Sequence, residues 1–339
     1  MAATIRDVAR LAGVSTSTVS RALNAPSCVK HQTLSRIMKA VQECHYVPNT
    51  FARNLKTNSS KTIGLLISDI SNSHFTSMAK AIETILRENG FSMIVCSTDE
   101  NPQQELDYLH HMLSSQVDGL ILNTTNFNND QIVEFSSRLP VVLIERNIEE
   151  PGFRGDYIGS NNQEGMKEMT QYLLRKGHRK IGLINCETQV STGRERLQGF
   201  VNAMRAAGIS AGTDYPYLFD CASFSVENGY TGCAHLMTME DRPTALLVTN
   251  NTLTIGVLKY LRSHQVSVPK DISVMSYGNI ENSDLFFVDL GHAALSPYQI
   301  GEKAAGCILS RIEKPNLRNR EVIFEPVLMT GQSVCPTKG

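Results

Sequence analysis

The sequence predicts an α/β protein: a small all-α head followed by a body of two lobes, each a doubly wound parallel sheet. The length of 339 residues is too great for one ordinary core and suits a small domain joined to a bilobed one. Hydrophobic residues make up 41% and charged residues 19%, as in a folded globular chain. From about residue 60, apolar strand patterns alternate with amphipathic helix patterns, which is typical of βα units in parallel sheets.

The body patterns can be assigned to individual elements. Predicted strands lie at 62–67, 92–96, 119–122, 141–144, 180–184, 245–248 and 273–276, and predicted helices include 78–88, 103–113, 165–174 and 193–206. Segments 156–161 and 291–297 are expected to cross between the lobes. A cleft between two such lobes is a natural place for a small ligand.

Charge is distributed unevenly along the chain. The first 60 residues contain eight Lys or Arg and two Asp or Glu, a net charge of +6, so the remainder carries −7 of the overall −1. A basic head on an acidic body indicates that only the head meets a polyanion.

The eight cysteines are scattered, with no C-x-x-C pair. Neither a zinc site nor a disulfide framework is expected, and no metal or other cofactor is predicted. Free thiols favour a reducing, cytoplasmic location, and the sequence shows no signal region or membrane span. Because the C-terminal residues form no leucine heptad, a homodimer is expected rather than a coiled-coil tetramer.

The first 46 residues predict three short helices around a tight turn. Thr4 with Asp7 has the form of a capping box and predicts a helix that begins near Ile5. Gly13 provides the turn, and Ser15 is a suitable N-cap for the second helix. Helical spacing predicts these inward-facing side chains: Val8, Leu11 and Ala12, then Val19, Ala22 and Leu23, then Leu34, Ile37, Met38 and Val41.

The outer face of the second helix carries Thr16, Ser17, Ser20 and Arg21. An arginine can bind guanine with two hydrogen bonds, and hydroxyls reach base edges or phosphates, so this face suits the major groove of DNA. The alternative is an ordinary three-helix bundle with a solvated polar face.

The segment that follows Asn49 is only about eight residues long, below the roughly 12–15 at which an isolated helix becomes stable in water. It is expected to be helical only when docked. Leu55 then resembles the leucine wedges that enter a minor-groove step, with Arg53 and Lys56 placed for phosphates. The alternative is a plain flexible linker.

These segments closely resemble the lactose-repressor (LacI/GalR) family. Residues 7–24 read D-V-A-x-x-A-G-V-S-x-x-T-V-S-R-x-L-N, and the family pattern continues at 46–49 and 52–55. Further matches follow in family order through the body at 63–65, 117–121, 177–181, 196–200 and 268–273. The resemblance implies a dimeric transcription regulator whose head reads a palindromic operator in double-stranded DNA. It also implies a body similar to periplasmic sugar-binding proteins.

The resemblance implies a helix-turn-helix head at 1–47, a hinge helix at 48–59 and an effector-binding body at 60–339. The N-subdomain is expected at about 60–160 and 292–324, and the C-subdomain at about 161–291 and 325–335. Residues predicted to contact DNA are Thr4, Ser15, Thr16, Ser17, Thr18, Ser20, Arg21, Asn24, Asn49, Ala52, Arg53, Leu55 and Lys56. The hinge is the expected switch, because a ligand that moves the lobes would change whether two hinges fold on DNA. The sign of that switch, inducer or co-repressor, stays open.

Family ligand positions can also be found one by one in the body. They are Ser68, Asp69, His74, Phe75, Arg146, Glu164, Arg196, Asn251, Tyr277 and Gly278. Phe75 is a candidate stacking wall or core residue, and Glu164 has the alternative of favouring a helix N-terminus. His178 is expected to be structural.

Three positions depart from the family's usual sugar-binding pattern. Asn161, Asn251 and Gly278 stand where the family commonly has aspartates, whereas Arg146 and Arg196 remain. Fewer acids beside two arginines predict a positive pocket, and hence a sugar acid or phosphorylated sugar as effector. The alternative is that Arg196 pairs with Asp69 or Glu164, which leaves the pocket neutral for a neutral sugar. A purine is a further alternative.

An enzyme is the main competing class. The sequence lacks the dinucleotide-binding glycine motif, the phosphate-binding loop, the G-x-S-x-G elbow and the H-E-x-x-H zinc motif, so no catalytic residues are predicted. The basic head and the missing signal region disfavour a secreted binding protein. The sequence therefore predicts a regulator of carbohydrate-related genes, most simply a repressor.

Overall fold

The computed structural model describes residues 3–24, 26–46, 59–186, 189–212, 214–286 and 288–337, with the side chain of Asn24 also left undescribed. The chain divides into two compact units, Met1–Ser60 and Lys61–Gly339. None of the helices in these ranges combines the length and apolar character needed to cross a bilayer.

The described part of the head, up to residue 46, folds as three α-helices and one 3-10 turn: α1 (Ile5–Ala12), α2 (Thr16–Asn24), the 3-10 turn (Pro26–Cys28) and α3 (His31–Glu43). The predicted capping box is present, since the Thr4 amide and hydroxyl donate to the Asp7 carboxylate over 3.0 and 2.7 Å. Gly13 ends α1 with φ 64°, a left-handed conformation that favours glycine. Ser15 caps α2 by accepting from the Thr18 amide.

The head core is built mostly from the predicted side chains. Its buried members are Val8, Ala9, Ala12, Val19, Ala22, Ile37 and Ala40. Two predictions were wrong: Leu11 is 53% exposed and Met38 is 44% exposed. Each lies roughly 100° round its helix from the centre of the buried face, because successive residues turn by about that angle. Ala9 and Ala40 occupy the inner positions instead.

The first lobe of the body is a six-stranded parallel sheet in the order β11-β5-β4-β3-β1-β2. Its strands are β1 (Thr62–Ile67), β2 (Ser92–Ser97), β3 (Gly119–Leu122), β4 (Val141–Ile144), β5 (Gly155–Ser160) and β11 (Glu321–Phe324). Its helices are α4 (Ser73–Glu88), α5 (Pro102–Ser114), α6 (Asn129–Ser136) and α11 (Pro297–Glu313). Two apolar layers cover the two faces of this sheet.

The second lobe is a six-stranded sheet in the order β12-β10-β9-β8-β6-β7, parallel except for β12. Its strands are β6 (Ile181–Cys186), β7 (Leu218–Cys221), β8 (Ala245–Val248), β9 (Ser273–Tyr277), β10 (Gly291–Ala294) and β12 (Val327–Met329). Its helices are α7 (Asn162–Arg175), α8 (Ser191–Ala206), α9 (Val226–Met237) and α10 (Asn251–Ser263).

The chain passes between the lobes three times, after β5, after β10 and after β11. The two predicted crossovers, 156–161 and 291–297, each begin with a strand, β5 and β10, and the chain crosses only after that strand. The expected N-subdomain stretch 292–324 therefore starts too early, because 292–294 pair within the second sheet. Segment 156–161 contains only two hydrophobic residues, Tyr157 and Ile158, so its sequence does not resemble that of a buried strand.

A buried ion pair connects β5 to the C-terminal part of the first lobe. Asp156 accepts hydrogen bonds from the guanidinium groups of Arg311 and Arg320 over 2.5 and 2.6 Å, and from the Arg320 amide. Burial alone would raise the pKa of Asp156, but these hydrogen bonds outweigh it and hold the pKa below its usual range. The carboxylate therefore joins β5, α11 and the chain that enters β11.

His178 has the structural role expected of it. It is buried, and its two ring nitrogens lie 2.9 Å from the Thr244 hydroxyl and 3.0 Å from the Cys335 carbonyl oxygen. Burial lowers its pKa, so the neutral ring is favoured.

Candidate functional site

The head presents the polar helix face that the sequence predicts. On α2, Thr16, Ser17 and Arg21 are exposed and Ser20 is half-buried, while Val19 and Ala22 point into the core. The exposed group offers one guanidinium and short hydroxyls on one side of a helix. That geometry fits insertion into a major groove.

Other predicted DNA contacts are arranged differently or lie outside the described residues. The hydroxyls of Ser15 and Thr18 hydrogen-bond each other over 2.8 Å, and that of Thr4 is engaged with Asp7. The hinge positions Asn49, Ala52, Arg53, Leu55 and Lys56, and the side chain of Asn24, fall outside the described part of the chain.

The body holds a cleft cavity of about 650 Å³, its open mouth included, between the two lobes. Parallel strands place their carboxyl ends at one sheet edge, where α/β proteins bind ligands. Eighteen residues line this cavity: Ser68, Asp69, Asn72, His74, Phe75, Glu100, Asn123, Glu145, Arg146, Thr192, Arg196, Phe224, Asn250, Asn251, Tyr277, Gly278, Asn279 and Leu295.

Nine of the ten predicted effector residues lie in this lining, and Glu164 does not. Glu164 sits in the first turn of α7, where its carboxylate accepts from Lys167 over 2.9 Å and its amide donates to Asn161. This placement agrees with the alternative given for Glu164, namely that its carboxylate stabilises the N-terminus of a helix instead of contacting the ligand.

Arg146 is neutralised by a partner that the sequence did not indicate. Both of its terminal nitrogens donate to the Glu100 carboxylate at 2.6 Å, and one also donates to the Thr124 carbonyl oxygen. The side chain of Arg146 is 4% exposed and that of Glu100 is 17% exposed. A buried two-point pair of this kind fixes the guanidinium and cancels its charge.

Arg196 is also held by the protein. Its Nε donates to the Asn162 side chain and one terminal nitrogen to the Thr249 carbonyl oxygen, each over 2.9 Å. The guanidinium carbon lies 4.4 Å from the centre of the Tyr277 ring. The alternative in which Arg196 pairs with Asp69 or Glu164 is therefore not seen among the described contacts of Arg196.

His74 and Glu145 form a second coupled pair in the cavity wall. His74 Nε2 lies 2.9 Å from Glu145 Oε1. Burial would raise the pKa of Glu145, but the hydrogen bond to His74 and the nearby charges of His74 and Arg196 lower it further than burial raises it. Glu145 is therefore ionised at neutral pH.

These contacts correct the expectation of an arginine-led positive pocket. Three carboxylates, those of Asp69, Glu100 and Glu145, line the cavity with two arginines. Because one arginine is fully paired and the acids outnumber the arginines, the lining has no excess positive charge for an acid or phosphate. A sugar acid or phosphorylated sugar is not supported as the effector.

An amide pair spans the cleft at the start of α4 and α10. Asn251 Nδ2 donates to Asn72 Oδ1 over 2.9 Å, and Asn72 Nδ2 lies 3.3 Å from Asn251 Oδ1. Asn72 Oδ1 also accepts from the His74 amide, so the same side chain caps α4. The pair links the lobes and positions two cavity residues at once.

Sequence reasoning missed half of the lining: Asn72, Glu100, Asn123, Glu145, Thr192, Phe224, Asn250, Asn279 and Leu295. A signal existed for Asn123, Glu145, Asn250 and Asn279, which follow strands β3, β4, β8 and β9 by one or two residues. No comparable signal marks Glu100, since it reaches Arg146 from a loop with φ 56°.

A compact head with an exposed polar recognition helix, joined to a bilobed body with a polar cleft, defines a class of DNA-binding proteins controlled by small ligands. Comparison with known families gives the particular family. Residues 4–49 match the model described as bacterial regulatory proteins of the lacI family, and residues 60–327 match periplasmic binding proteins and the sugar binding domain of the LacI family. The chain therefore belongs to the LacI family of bacterial regulatory proteins, and it is a DNA-binding transcriptional regulator rather than an enzyme.

Relatives support this assignment along the whole chain. A transcriptional repressor named PurR from Photobacterium profundum is 32% identical over 98% of both chains. A ribose operon repressor from Haemophilus influenzae is 31% identical over 99% of this chain and 100% of its own. A LacI family regulator from Enterococcus faecium, solved with bound ribose, is 27% identical with a TM-score of 0.73, covering 82% of this chain and 100% of that one.

Proposed function

We propose that the protein is a repressor of carbohydrate-related genes that binds a palindromic operator as a homodimer and takes a neutral sugar in its cleft. The observation that supports this most is the charge balance of the cavity. Glu100 neutralises Arg146, and the carboxylates of Asp69 and Glu145 offset the charge of Arg196, so the lining carries no excess positive charge to hold an anion.

The remaining polar lining suits hydroxyls. Five asparagines, a serine and a threonine line the cavity: Asn72, Asn123, Asn250, Asn251, Asn279, Ser68 and Thr192. Several of them bond to one another or to the backbone, as Asn72 does to Asn251, and a ligand would use their remaining hydrogen-bonding capacity or exchange those bonds. An amide offers both a donor and an acceptor, as a sugar hydroxyl does, whereas a phosphate needs donors alone. Asp69 adds a carboxylate acceptor for hydroxyls. The ribose operon repressor and the ribose-bound regulator among the relatives support the same ligand class.

A purine is the second candidate effector. Aromatic side chains of Phe75, Phe224 and Tyr277 line the cavity and offer faces for a flat ring. The relative named PurR supports this reading. A neutral sugar is favoured because the lining is rich in amide and hydroxyl groups, and a pentose or hexose carries a hydroxyl on nearly every carbon.

DNA binding is proposed to use Thr16, Ser17, Ser20 and Arg21 of α2, with Leu55 of the hinge as a minor-groove wedge. Arg21 is exposed and free of the head core. A guanidinium at this place would read guanine, and hydroxyls beside it would fix the helix in the groove.

A thermal-shift panel on the full chain tests the effector. It compares neutral pentoses and hexoses, sugar acids, sugar phosphates and purine bases. A ligand present at 100 times its dissociation constant adds about 2.7 kcal/mol to stability. Stabilisation by neutral sugars alone is expected. Stabilisation by purines alone would identify a purine as the effector instead of a sugar. Stabilisation by sugar phosphates or sugar acids alone would contradict the proposal that the cavity lacks excess positive charge.

A second measurement tests operator binding. Fluorescence anisotropy with a labelled palindromic operator is expected to show salt-dependent binding that the stabilising ligand changes. The matched control is Arg138→Ala, since Arg138 is a cation of the body that pairs with Glu134. Arg21→Ala should weaken operator binding at least tenfold, while Arg138→Ala should leave it unchanged. Equal effects of the two substitutions would refute the proposed recognition helix.

A further inference from the structure

Arg196 lines the cavity with a guanidinium group whose described hydrogen-bond acceptors are both neutral. They are the Asn162 side-chain oxygen and the Thr249 carbonyl oxygen, each at 2.9 Å. Arg196 is buried, so water compensates its charge poorly. A buried cation that meets only neutral acceptors attracts an anion unless another charge lies close by.

The side chain of Asn162 connects Arg196 to a carboxylate behind the cavity wall. Asn162 is buried, and while its Oδ1 accepts from Arg196, its Nδ2 donates to Glu195 Oε2 over 2.9 Å. Nδ2 also donates to the Ser160 carbonyl oxygen over 3.2 Å. Because both partners of Nδ2 are acceptors, the amide satisfies all its neighbours only with its oxygen toward Arg196. Glu195, Asn162 and Arg196 thus form a chain in which an amide links an anion to a cation.

Glu195 itself lies outside the cavity lining. It is half-buried on α8, directly before Arg196 in the sequence. Neighbouring residues of a helix project in different directions, so Arg196 can reach the cleft while Glu195 reaches Asn162 at the start of α7. A ligand could therefore contact Arg196 without displacing Glu195.

Several groups act on the ionisation of Glu195. Burial raises its pKa above the ordinary value, and the hydrogen bond from Asn162 and the charge of Arg196 oppose part of that rise. The charged or titratable groups around it are Arg194 and Arg196 of the same helix, Glu145 after β4, and the hydroxyls of Tyr157 and Tyr277. As the pH falls, Glu195 should lose its charge earlier than an ordinary glutamate does.

We propose that Glu195 determines the effector specificity of the cleft by compensating the charge of Arg196 through Asn162. Glu195 is a positioning residue, because it acts on the ligand only through Arg196. A ligand hydroxyl can accept from Arg196 as the chain holds it, whereas an anion there would be opposed by the carboxylate behind it. This inference rests on the proposed neutral-sugar effector and names a residue that excludes anions.

Isothermal titration of the full chain with matched neutral and anionic sugars tests the inference. The pairs are D-glucose with D-glucuronate, D-galactose with D-galacturonate, and D-ribose with D-ribose 5-phosphate. Glu195→Gln keeps an acceptor for Asn162 and removes the charge, so the ratio of anionic to neutral affinity should rise at least about fivefold. An unchanged ratio overturns the inference and leaves the neutral-sugar proposal standing.

Two control variants show whether the charge at this position is responsible. Glu227→Gln removes an exposed carboxylate of α9 outside the cavity lining and should keep the wild-type ratio. Glu195→Asp retains the charge and should stay closer to the wild type than Glu195→Gln does. If Glu195→Gln does not fold, Glu195→Ser removes the same charge and takes its place in the comparison. An equal rise in Glu227→Gln and in the variant without charge at position 195 overturns the inference.

A pH series distinguishes a charge effect from a change of shape. It uses the uronates, which stay ionised between pH 7.5 and 5. Their affinity relative to the neutral sugar should rise in the wild type as Glu195 takes up a proton, and rise less in Glu195→Gln. His74 and Glu145 titrate in both proteins, so the difference between the two profiles is the measurement. Parallel profiles overturn the inference.

The remaining outcomes separate this inference from the proposed function. If an anionic sugar binds the wild type as tightly as its neutral partner, both proposals fail. If the wild type binds no neutral sugar, the neutral-sugar proposal fails, and the anionic sugars alone decide the inference. Binding of an anionic sugar that is gained in Glu195→Gln then supports it, and the absence of any gain overturns it.

Discussion

Replacing Glu100 with glutamine tests most directly whether Glu100 neutralises Arg146 in the cleft. Glu100→Gln keeps the size and shape of the side chain and removes the charge that neutralises Arg146. Two N–O contacts of 2.6 Å join the pair, and both side chains are largely shielded from water. The variant should be less stable, and its cleft should gain positive charge.

The magnitude follows from the burial of the pair. Removing one partner of a fully buried ion pair costs about 3–5 kcal/mol. Glutamine retains one acceptor oxygen and Glu100 is partly open to solvent, so a loss of about 2 kcal/mol is expected. With a urea m-value of roughly 3 kcal/mol per molar, the unfolding midpoint of the body should fall by about 0.7 M.

Urea unfolding followed by far-UV circular dichroism measures this loss, since the chain has no tryptophan. The control is Glu134→Gln, which breaks an ion pair of α6 whose two side chains are both more than half exposed. Such a pair contributes less than about 0.5 kcal/mol. The midpoint of the control should therefore stay close to that of the wild type.

The ligand preference gives the second readout. A sugar acid that does not stabilise the wild type should bind Glu100→Gln, because Arg146 then presents an uncompensated charge at the cavity wall. If Glu100→Gln unfolds at the midpoint of the control and gains no affinity for acids, the neutralisation of Arg146 by Glu100 does not govern the site.

Three further outcomes are expected elsewhere in the chain. Asp156→Asn should lower the free energy of unfolding by about 3–5 kcal/mol, because it leaves a buried arginine unpaired. Since the pKa of Asp156 is depressed in the folded protein, its stabilising contribution is present above the ordinary pKa of an aspartate and is lost as the pH falls. Denaturation of the wild type and the variant at pH 7, 5 and 3 measures both effects. Leu55→Ala should weaken operator binding in anisotropy while leaving effector affinity by titration unchanged, and equal operator affinity would remove the wedge hypothesis. Asn72→Ala should break the amide pair across the cleft and increase the radius of gyration of the unliganded protein in X-ray scattering, whereas an unchanged radius would show that the pair does not hold the lobes closed.

Much of the fold is predictable because burial imposes periodicity. Strands such as β1, β3, β4 and β8 begin and end where the apolar runs place them, because each is buried on both faces of a parallel sheet. Strand β5 escapes this reasoning, since only Tyr157 and Ile158 among its residues add to the apolar core, and Asp156 is held by two arginines distant in sequence. Periodicity detects burial of hydrocarbon and not burial of an ion pair.

The candidate site is predictable where position alone decides it. Ser68 and Asp69 come directly after β1, and Tyr277 and Gly278 lie at the end of β9, so strand ends bring them to the cleft. Helix faces are harder to assign: Leu11 belongs to an apolar stretch and yet points outward, because the small head buries only a narrow stripe of α1.

The charge of the cleft could not be predicted by counting arginines, because each arginine matters only together with its partner. Glu100 lies 46 residues before Arg146 and meets it only through a loop turned by positive φ at Asp99 and Glu100. Arg196 is likewise occupied by Asn162 and a carbonyl oxygen, contacts that no local motif signals. The loss of aspartates at Asn251 and Gly278 therefore does not make the cavity positive. At Asn251 the amide that stands in place of an aspartate bridges the lobes. The same substitutions that suggested an anionic effector therefore leave a cavity without excess positive charge, because the carboxylates that balance its arginines come from positions other than the family's aspartates.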